Sequence, residues 1–315
     1  MAAIELTGVT KRFDEVTAVR DLDLTVEEGE IYGFLGPNGA GKSTTINMLL
    51  DFVRPSSGEV RVLGRDAQAD SVAVRRRTGV PPEGFSVYDR LTGRQHVEFA
   101  IESKEFDADP DAMLERVGLD GDGDRKAGDY STGMKQRLVL AMGLVGRPDL
   151  LILDEPSSGL DPAGAKEMRE IVREEAERGT TVFFSSHVLG QVEAVCDRVG
   201  ILRDGRLVAE DSIEGLREAV GGGETLRITV DAASDEQLDP VRALAGVSTA
   251  STDGGTVTVN CESDAKTTVI AELEDGGVTV KDFRTEEASL EDLFLTYTEG
   301  ENGDAPVADA EGVDA

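Results

Sequence analysis

Gly36-Pro37-Asn38-Gly39-Ala40-Gly41-Lys42-Ser43 follows an apolar run, Ile31 to Leu35, and leads through Thr44 into a helical pattern. The spacing is G-x-x-x-x-G-K-[ST], in which glycines free backbone N–H groups to point inward around phosphate oxygens while the helix N-terminus adds positive dipole. Lys42 is placed to reach β- and γ-phosphates, and the Ser43 hydroxyl to ligate Mg²⁺. A second apolar run, Leu150 to Leu153, ends in adjacent carboxylates, Asp154 and Glu155. Asp154 suits Mg²⁺ held through its water shell. Glu155 suits polarising a water that attacks a γ-phosphate. Hydrolysis of a nucleoside triphosphate is the chemistry these residue types can perform.

Such groups need rigid strand tips to hold them, and the chain supplies the pattern. Apolar strands alternate with amphipathic helices over residues 1–221, which predicts an α/β fold with a helix-covered sheet. Ile31 to Leu35, Leu150 to Leu153 and Thr181 to Phe184 read as its strands, and open α/β sheets bind ligands at the carboxyl ends of such strands. Gly221-Gly222-Gly223 reads as a linker. Beyond it, over residues 222–298, Leu226, Ile228 and Val230 alternate, Gln237 to Leu244 reads as helix, and Val257, Val259 and Cys261 alternate. Ala265 to Leu273 again reads as helix, ahead of Val278 and Val280. The order βαββαβ predicts a small α+β, ferredoxin-like domain. Ser289 opens a last helical stretch with Leu290, Leu293, Phe294 and Tyr297 on one face, and residues 299–315 form an acidic tail expected to be disordered.

The chain of 315 residues carries 63 Asp and Glu against 32 Lys and Arg, a net charge of −31. This balance argues against nucleic acid as a partner, since phosphate-backbone binding needs clustered Lys and Arg. Only eight of the basic residues are Lys. Acid-rich, Lys-poor composition fits salt adaptation, because concentrated salt shortens the Debye length and screens self-repulsion. An ordinary acidic soluble protein is the alternative. Cys196 and Cys261 have no C-x-x-C spacing and read as buried thiols of a reducing compartment. No stretch approaches the ~18 consecutive apolar residues of a spanning helix.

Tyr130-Ser131-Thr132-Gly133-Met134-Lys135-Gln136-Arg137 opens a helical pattern ahead of Asp154. It resembles the signature motif of ATP-binding cassette (ABC) ATPases. Ser158-Gly159-Leu160-Asp161 resembles that family's D-loop, and Ser185-Ser186-His187 its switch histidine. The resemblance covers roughly residues 4 to 218 and implies a P-loop ATPase cassette with antiparallel β and helical subdomains. It further implies ATP and Mg²⁺ as ligands and a head-to-tail homodimer, or a pair with a related cassette, closing around two ATP. In that arrangement Ser131 and the Gly133 N–H face the γ-phosphate on the opposite subunit's P-loop, and Asp161 couples the two sites. Phe13 stacks on adenine, and His187 contacts the γ-phosphate. His96, in a polar helical stretch, reads as structural.

Thr132 and Met134 replace the commoner glycine and glutamine of the signature, and Glu83 stands where many cassettes have glutamine. Glu83 either ligates Mg²⁺ or serves as a lever to a membrane partner. Similar departures occur together in cassettes of ABC-2 type exporters, and Glu287 to Phe294 resembles the end of their accessory domain. The resemblance therefore implies export through a separate integral membrane ABC-2 type permease, which docks on the helical subdomain, with the chain cytoplasmic and peripheral on the inner face of the cell membrane. An importer cassette and a soluble, non-transport ABC ATPase are the alternatives.

Overall fold

The computed structural model describes residues 1–81, 87–219 and 224–286. Glu83, Gly221-Gly222-Gly223, the helical pattern from Ser289 and the tail all lie outside the described residues. The chain divides into two compact units, one over Met1–Glu210 and one beginning at Asp211.

At the centre of the first unit lies a six-stranded sheet in the order Arg206–Ser212, Arg198–Arg203, Ile31–Leu35, Thr181–Ser186, Leu150–Asp154, Thr78–Gly79. Ile31–Leu35 pairs in parallel with both of its neighbours. Every residue of Ile31–Leu35 and of Thr181–Ser186 is buried. Burial on both faces is why these strands read as unbroken apolar runs rather than alternating ones. Phe34 and Phe183 pack at 5.1 Å between ring centroids, with Tyr32 stacked on Phe183 at 5.9 Å. The strands extend one and two residues further than their apolar runs, to Asp154 and Ser186. Register fixes that ending, since Asp154 pairs with Ser185 and Leu35 with Ser186.

A four-stranded sheet in the order Val16–Glu27, Ala2–Phe13, Ser57–Val62, Arg65–Asp66 packs on this core. Ile4, Leu6, Leu22, Leu24 and Val60 form its inner face and share one apolar cluster with Phe34, Met48 and Ile152. Between Thr78–Gly79 and Leu150–Asp154 the chain runs through helices Gly93–Lys104, Pro110–Glu115 and Thr132–Leu144. The first starts at a capping box formed by Thr92 and Gln95. His96 is buried within it, its Nε2 accepting the Tyr88 N–H at 2.9 Å and its Nδ1 donating to the Thr92 carbonyl at 2.8 Å.

The second unit contains strands Glu224–Val230, Val247–Thr252, Thr256–Cys261 and Val280–Glu286, ordered second, third, first, fourth and antiparallel throughout. Helix Lys266–Asp275 precedes the last strand, giving the split β-α-β arrangement of ferredoxin-like folds. Leu226, Ile228, Val257, Val259, Val269 and Leu273 supply its core. The helix expected over Gln237 to Leu244 is instead a 3₁₀ turn, Asp235–Leu238, followed by the short helix Asp239–Arg242. Pro240 explains the break, because proline has no N–H to continue the first turn and fits only where a helix starts. Cys196 and Cys261 are buried free thiols, and burial pushes both up from the ordinary thiol range. Among the described residues no helix is long and apolar enough to cross a membrane.

Candidate nucleotide site

The Gly36–Ser43 loop leaves the end of strand Ile31–Leu35 and enters helix Lys42–Leu49. Its path depends on glycine. Gly41 has φ +112°, and a Cβ there would lie 2.5 Å from the Ala18 carbonyl oxygen. A Cβ on Gly36 would lie 2.4 Å from the Leu202 carbonyl oxygen. The loop is tied on both sides: the Gly36 N–H donates to the Ser186 carbonyl at 3.2 Å, and the Gly205 N–H donates to the Ala40 carbonyl at 2.9 Å. No side chain caps the helix start at Gly41, so the first N–H groups face the loop without a protein acceptor of that kind. That is the arrangement in which a helix N-terminus receives phosphate.

Lys42 is only 5% exposed, and its Nζ donates to the Gly36 carbonyl at 2.7 Å and the Pro37 carbonyl at 3.4 Å. The Glu155 carboxylate stands 3.5 Å from the same ammonium. Ser43 Oγ donates to Asp154 Oδ2 at 3.0 Å, and Ser185 Oγ donates to Asp154 Oδ1. Glu155 adopts φ +49°, a left-handed conformation uncommon outside glycine and costly enough to be found mainly where structure over-determines it. Its N–H is held by the Ser185 carbonyl at 3.2 Å and Ser185 Oγ at 3.3 Å. One carboxylate oxygen, Oε2, meets His187 Nδ1 at 2.8 Å. The other, Oε1, is buried, accepts no hydrogen bond, and is the oxygen that faces Lys42 Nζ at 3.5 Å. A buried oxygen that accepts no hydrogen bond beside a phosphate loop is placed to accept from a water in the site.

These groups enclose a cavity of about 310 Å³ lined by Asn38, Gly39, Lys42, Ser43, Thr44, Asp154 and Glu155, among others. The donor set fits Mg²⁺: a hydroxyl and one carboxylate meet at the cavity, and this ion takes one or two protein oxygens and leaves the rest to water and phosphate. No cluster of three or more His, Cys, Asp or Glu able to hold a metal occurs among the described residues, so nothing competes as an all-protein cage.

The remaining predicted residues do not line this cavity. Ser131 caps helix Thr132–Leu144 by accepting the Met134 N–H at 3.2 Å, and Asp161 caps helix Pro162–Glu177 by accepting the Gly164 N–H at 2.8 Å. Ser131, Gly133, Gly159 and Asp161 line a separate hollow of about 440 Å³. Phe13 ends strand Ala2–Phe13 and is 45% exposed, with Lys11 Nζ 4.7 Å from its ring centroid. Its face is thus not spent on the core. Glu83 lies outside the described residues. Ser185 is the residue that sequence reasoning undervalued: it appears in the Ser185-Ser186-His187 stretch only as a lead-in to the histidine, yet it holds both Asp154 and Glu155. Its signal is a serine at the polar tip of an otherwise apolar buried strand.

Fold and site together define a cassette-type P-loop ATPase. The ABC transporter family profile matches residues 19–158, and that of the ATP-binding protein DrrA1-3-like C-terminal domain matches residues 212–298. The daunorubicin resistance ATP-binding protein DrrA3 of Streptomyces coeruleorubidus is 33% identical over 94% of this chain and 96% of its own. The bacitracin transport ATP-binding protein BcrA of Bacillus licheniformis is 41% identical over 68% of this chain and 71% of its own. A solved ATP-binding subunit of an ABC transporter superposes with a TM-score of 0.62 at 27% identity, covering 70% of this chain and 93% of that one. The chain belongs to the ABC transporter ATP-binding proteins, in the DrrA-like group, and is an ATPase subunit of an ABC transporter.

Proposed function

We propose that this subunit hydrolyses ATP in a head-to-tail dimer of cassettes to drive export through a separate ABC-2 type permease in the cell membrane, on whose cytoplasmic face it sits. The observation that carries the dimer is the division of the site residues within one chain. Lys42, Ser43, Asp154 and Glu155 line one cavity, with His187 hydrogen-bonded to Glu155, while Ser131, Gly133 and Asp161 line another. A helix start capped by Ser131 offers N–H groups to an anion, and the anion it lacks is the one bound at the P-loop of a second copy. The names of the drug-resistance and bacitracin-transport relatives support export as the direction.

In this reading the Gly36–Thr44 loop cradles the phosphates, and Phe13 stacks on the adenine. When bound, Mg²⁺ would supply charge neutralisation to the phosphates. Ser43 and Asp154 would hold it; Glu83 would serve either as a further ligand or as the lever to the permease. Lys42 exchanges its loop carbonyls for phosphate oxygens. Glu155 accepts a proton from the attacking water at Oε1, and His187 fixes the carboxylate through Oε2. Residues 1–221 form the ATPase domain, 222–298 the accessory domain, and 299–315 an acidic tail. The excess of acid over Lys fits a protein working in concentrated salt, for which a melting temperature that rises from low to multimolar KCl is the test.

Glu155→Gln is the decisive variant. Loss of a general base costs about 10²–10⁴ in rate, so turnover should nearly vanish while ATP binding survives and ATP-dependent dimers accumulate in light scattering. Wild-type turnover in that variant overturns the assignment.

A further inference from the structure

Glu175 is a charged residue with a side chain 0% exposed that the site chemistry does not use. It lies near the end of helix Pro162–Glu177, the helix whose first turn Asp161 caps. Its carboxylate accepts from Arg116 through both oxygens, at 2.7 Å from Nε and by a second bond from the terminal nitrogen, and from Arg178 at 2.6 Å. Arg116 belongs to the helical segment that precedes Ser131, directly after helix Pro110–Glu115. A bidentate guanidinium to carboxylate pair fixes angle as well as distance.

A second tie holds the same helix, Pro162–Glu177, to helix Thr132–Leu144. Arg137, on helix Thr132–Leu144, lies 3.4 Å from Glu167 on helix Pro162–Glu177 and donates to the Gly118 carbonyl at 3.1 Å. Gln136 also donates to the Ser158 carbonyl at 3.2 Å. Glu167 and Glu175 are eight residues apart on one helix, about 12 Å along its axis at ~1.5 Å per residue. Two ties at that separation fix direction, where one would leave a pivot.

We infer that the Arg116–Glu175 clasp, backed by Arg137–Glu167, is a positioning device that makes Ser131, Gly133 and Asp161 a single rigid surface, so that both helix starts meet the opposite subunit's nucleotide together. The inference rests on the head-to-tail dimer proposed above. Neither Arg116 nor Glu175 lines the phosphate-loop cavity or the second hollow. Their contribution is to narrow the range of orientations in which the second hollow is presented, which is an entropic term in dimer closure.

The test removes the clasp without leaving a buried charge. Replacing a buried ion pair by apolar residues of similar size is often neutral for stability, whereas deleting one partner is strongly destabilising. The full chain carrying Arg116→Met with Glu175→Leu should therefore fold and bind ATP at the P-loop as the wild type does. ATP-dependent dimerisation, read in the Glu155→Gln background, should weaken about tenfold, and kcat should fall by a similar factor with little change in KM; couplings between sites are typically 5–150-fold. Arg116→Lys, which keeps the charge but loses the fork, should fall between. It serves as the reading if the double variant does not fold. Wild-type dimerisation and kcat in either folded variant overturn the inference. Failure of the underlying dimer reading would register in the parent Glu155→Gln protein, which would then form no ATP-dependent dimer at all.

Discussion

Ser185→Ala removes one hydroxyl from a strand residue that is fully buried and carries two contacts at the site. The first is its hydrogen bond to Asp154 Oδ1; the second is its acceptance of the Glu155 N–H at 3.3 Å. The Glu155 N–H keeps the Ser185 carbonyl at 3.2 Å, so its loss is small. The carboxylate contact dominates. A hydrogen bond to a charged group contributes about 1.5–3 kcal/mol, and one partner deleted next to a metal-binding carboxylate typically costs 10–100-fold in metal affinity. Since each 1.4 kcal/mol is tenfold, both routes give about 2 kcal/mol. Two measurements follow: urea unfolding without nucleotide, where stability should fall by about 2 kcal/mol, and ATPase titrated with Mg²⁺, where the half-saturating concentration should rise about 10–100-fold. Nucleotide binding measured without metal should barely move. An unchanged Mg²⁺ titration would mean that Asp154 is held by its place in the strand alone, and the role given to Ser185 would be wrong.

Gly41→Ala places a Cβ 2.5 Å from the Ala18 carbonyl at a φ of +112°; fluorescent-nucleotide binding should fall by more than about tenfold, with a strain cost of order 1–3 kcal/mol in unfolding. Phe13→Ala removes a half-exposed ring, so stability should stay within about 0.5 kcal/mol, while ATP affinity falls by the ~1–3 kcal/mol of a base stacked on an aromatic. Glu210 has its carboxyl raised by burial, although the Tyr32 hydroxyl at 3.0 Å and Arg198 at 2.7 Å oppose the shift. The folded chain thus holds that proton more tightly than the unfolded chain, and wild-type stability declines as pH rises above the ordinary value of 4.5. In Glu210→Gln that slope is absent, so the melting temperature of the variant minus that of the wild type should increase from about pH 4 to 7; a difference independent of pH refutes it.

The sites were legible where residue type and spacing are themselves the mechanism. Gly36, Gly41 and Lys42 can be read without coordinates because a Cβ would collide with backbone at the two glycines and few side chains reach as far as the lysine. The strands were legible for a related reason: a parallel strand buried on both faces has no polar alternation to obscure it. Glu175 was not, since Arg173-Glu174-Glu175-Ala176-Glu177-Arg178 reads as a solvated helical face, and only tertiary packing buries one of its three acids. Ser185 was hidden in the same way, because register with Asp154, not local pattern, gives it its work. In the second unit, period-two alternation carried the strands, while one proline split the expected helix.

Strand Ile31–Leu35, from which the phosphate loop springs, is flanked by Thr181–Ser186 and Arg198–Arg203. Both flanking strands fall outside the 19–158 stretch matched by the family profile. The stretch that the ABC transporter profile matches is therefore not a part that can be cut out and kept. A fragment ending near Ser158 would carry Lys42, Asp154 and Glu155 yet leave their central strand without either parallel neighbour, and would lose the Gly205 tether on Ala40. Evolutionary bookkeeping by motif and physical autonomy have different borders here. Anyone dissecting the ATPase should cut no earlier than the end of strand Arg206–Ser212.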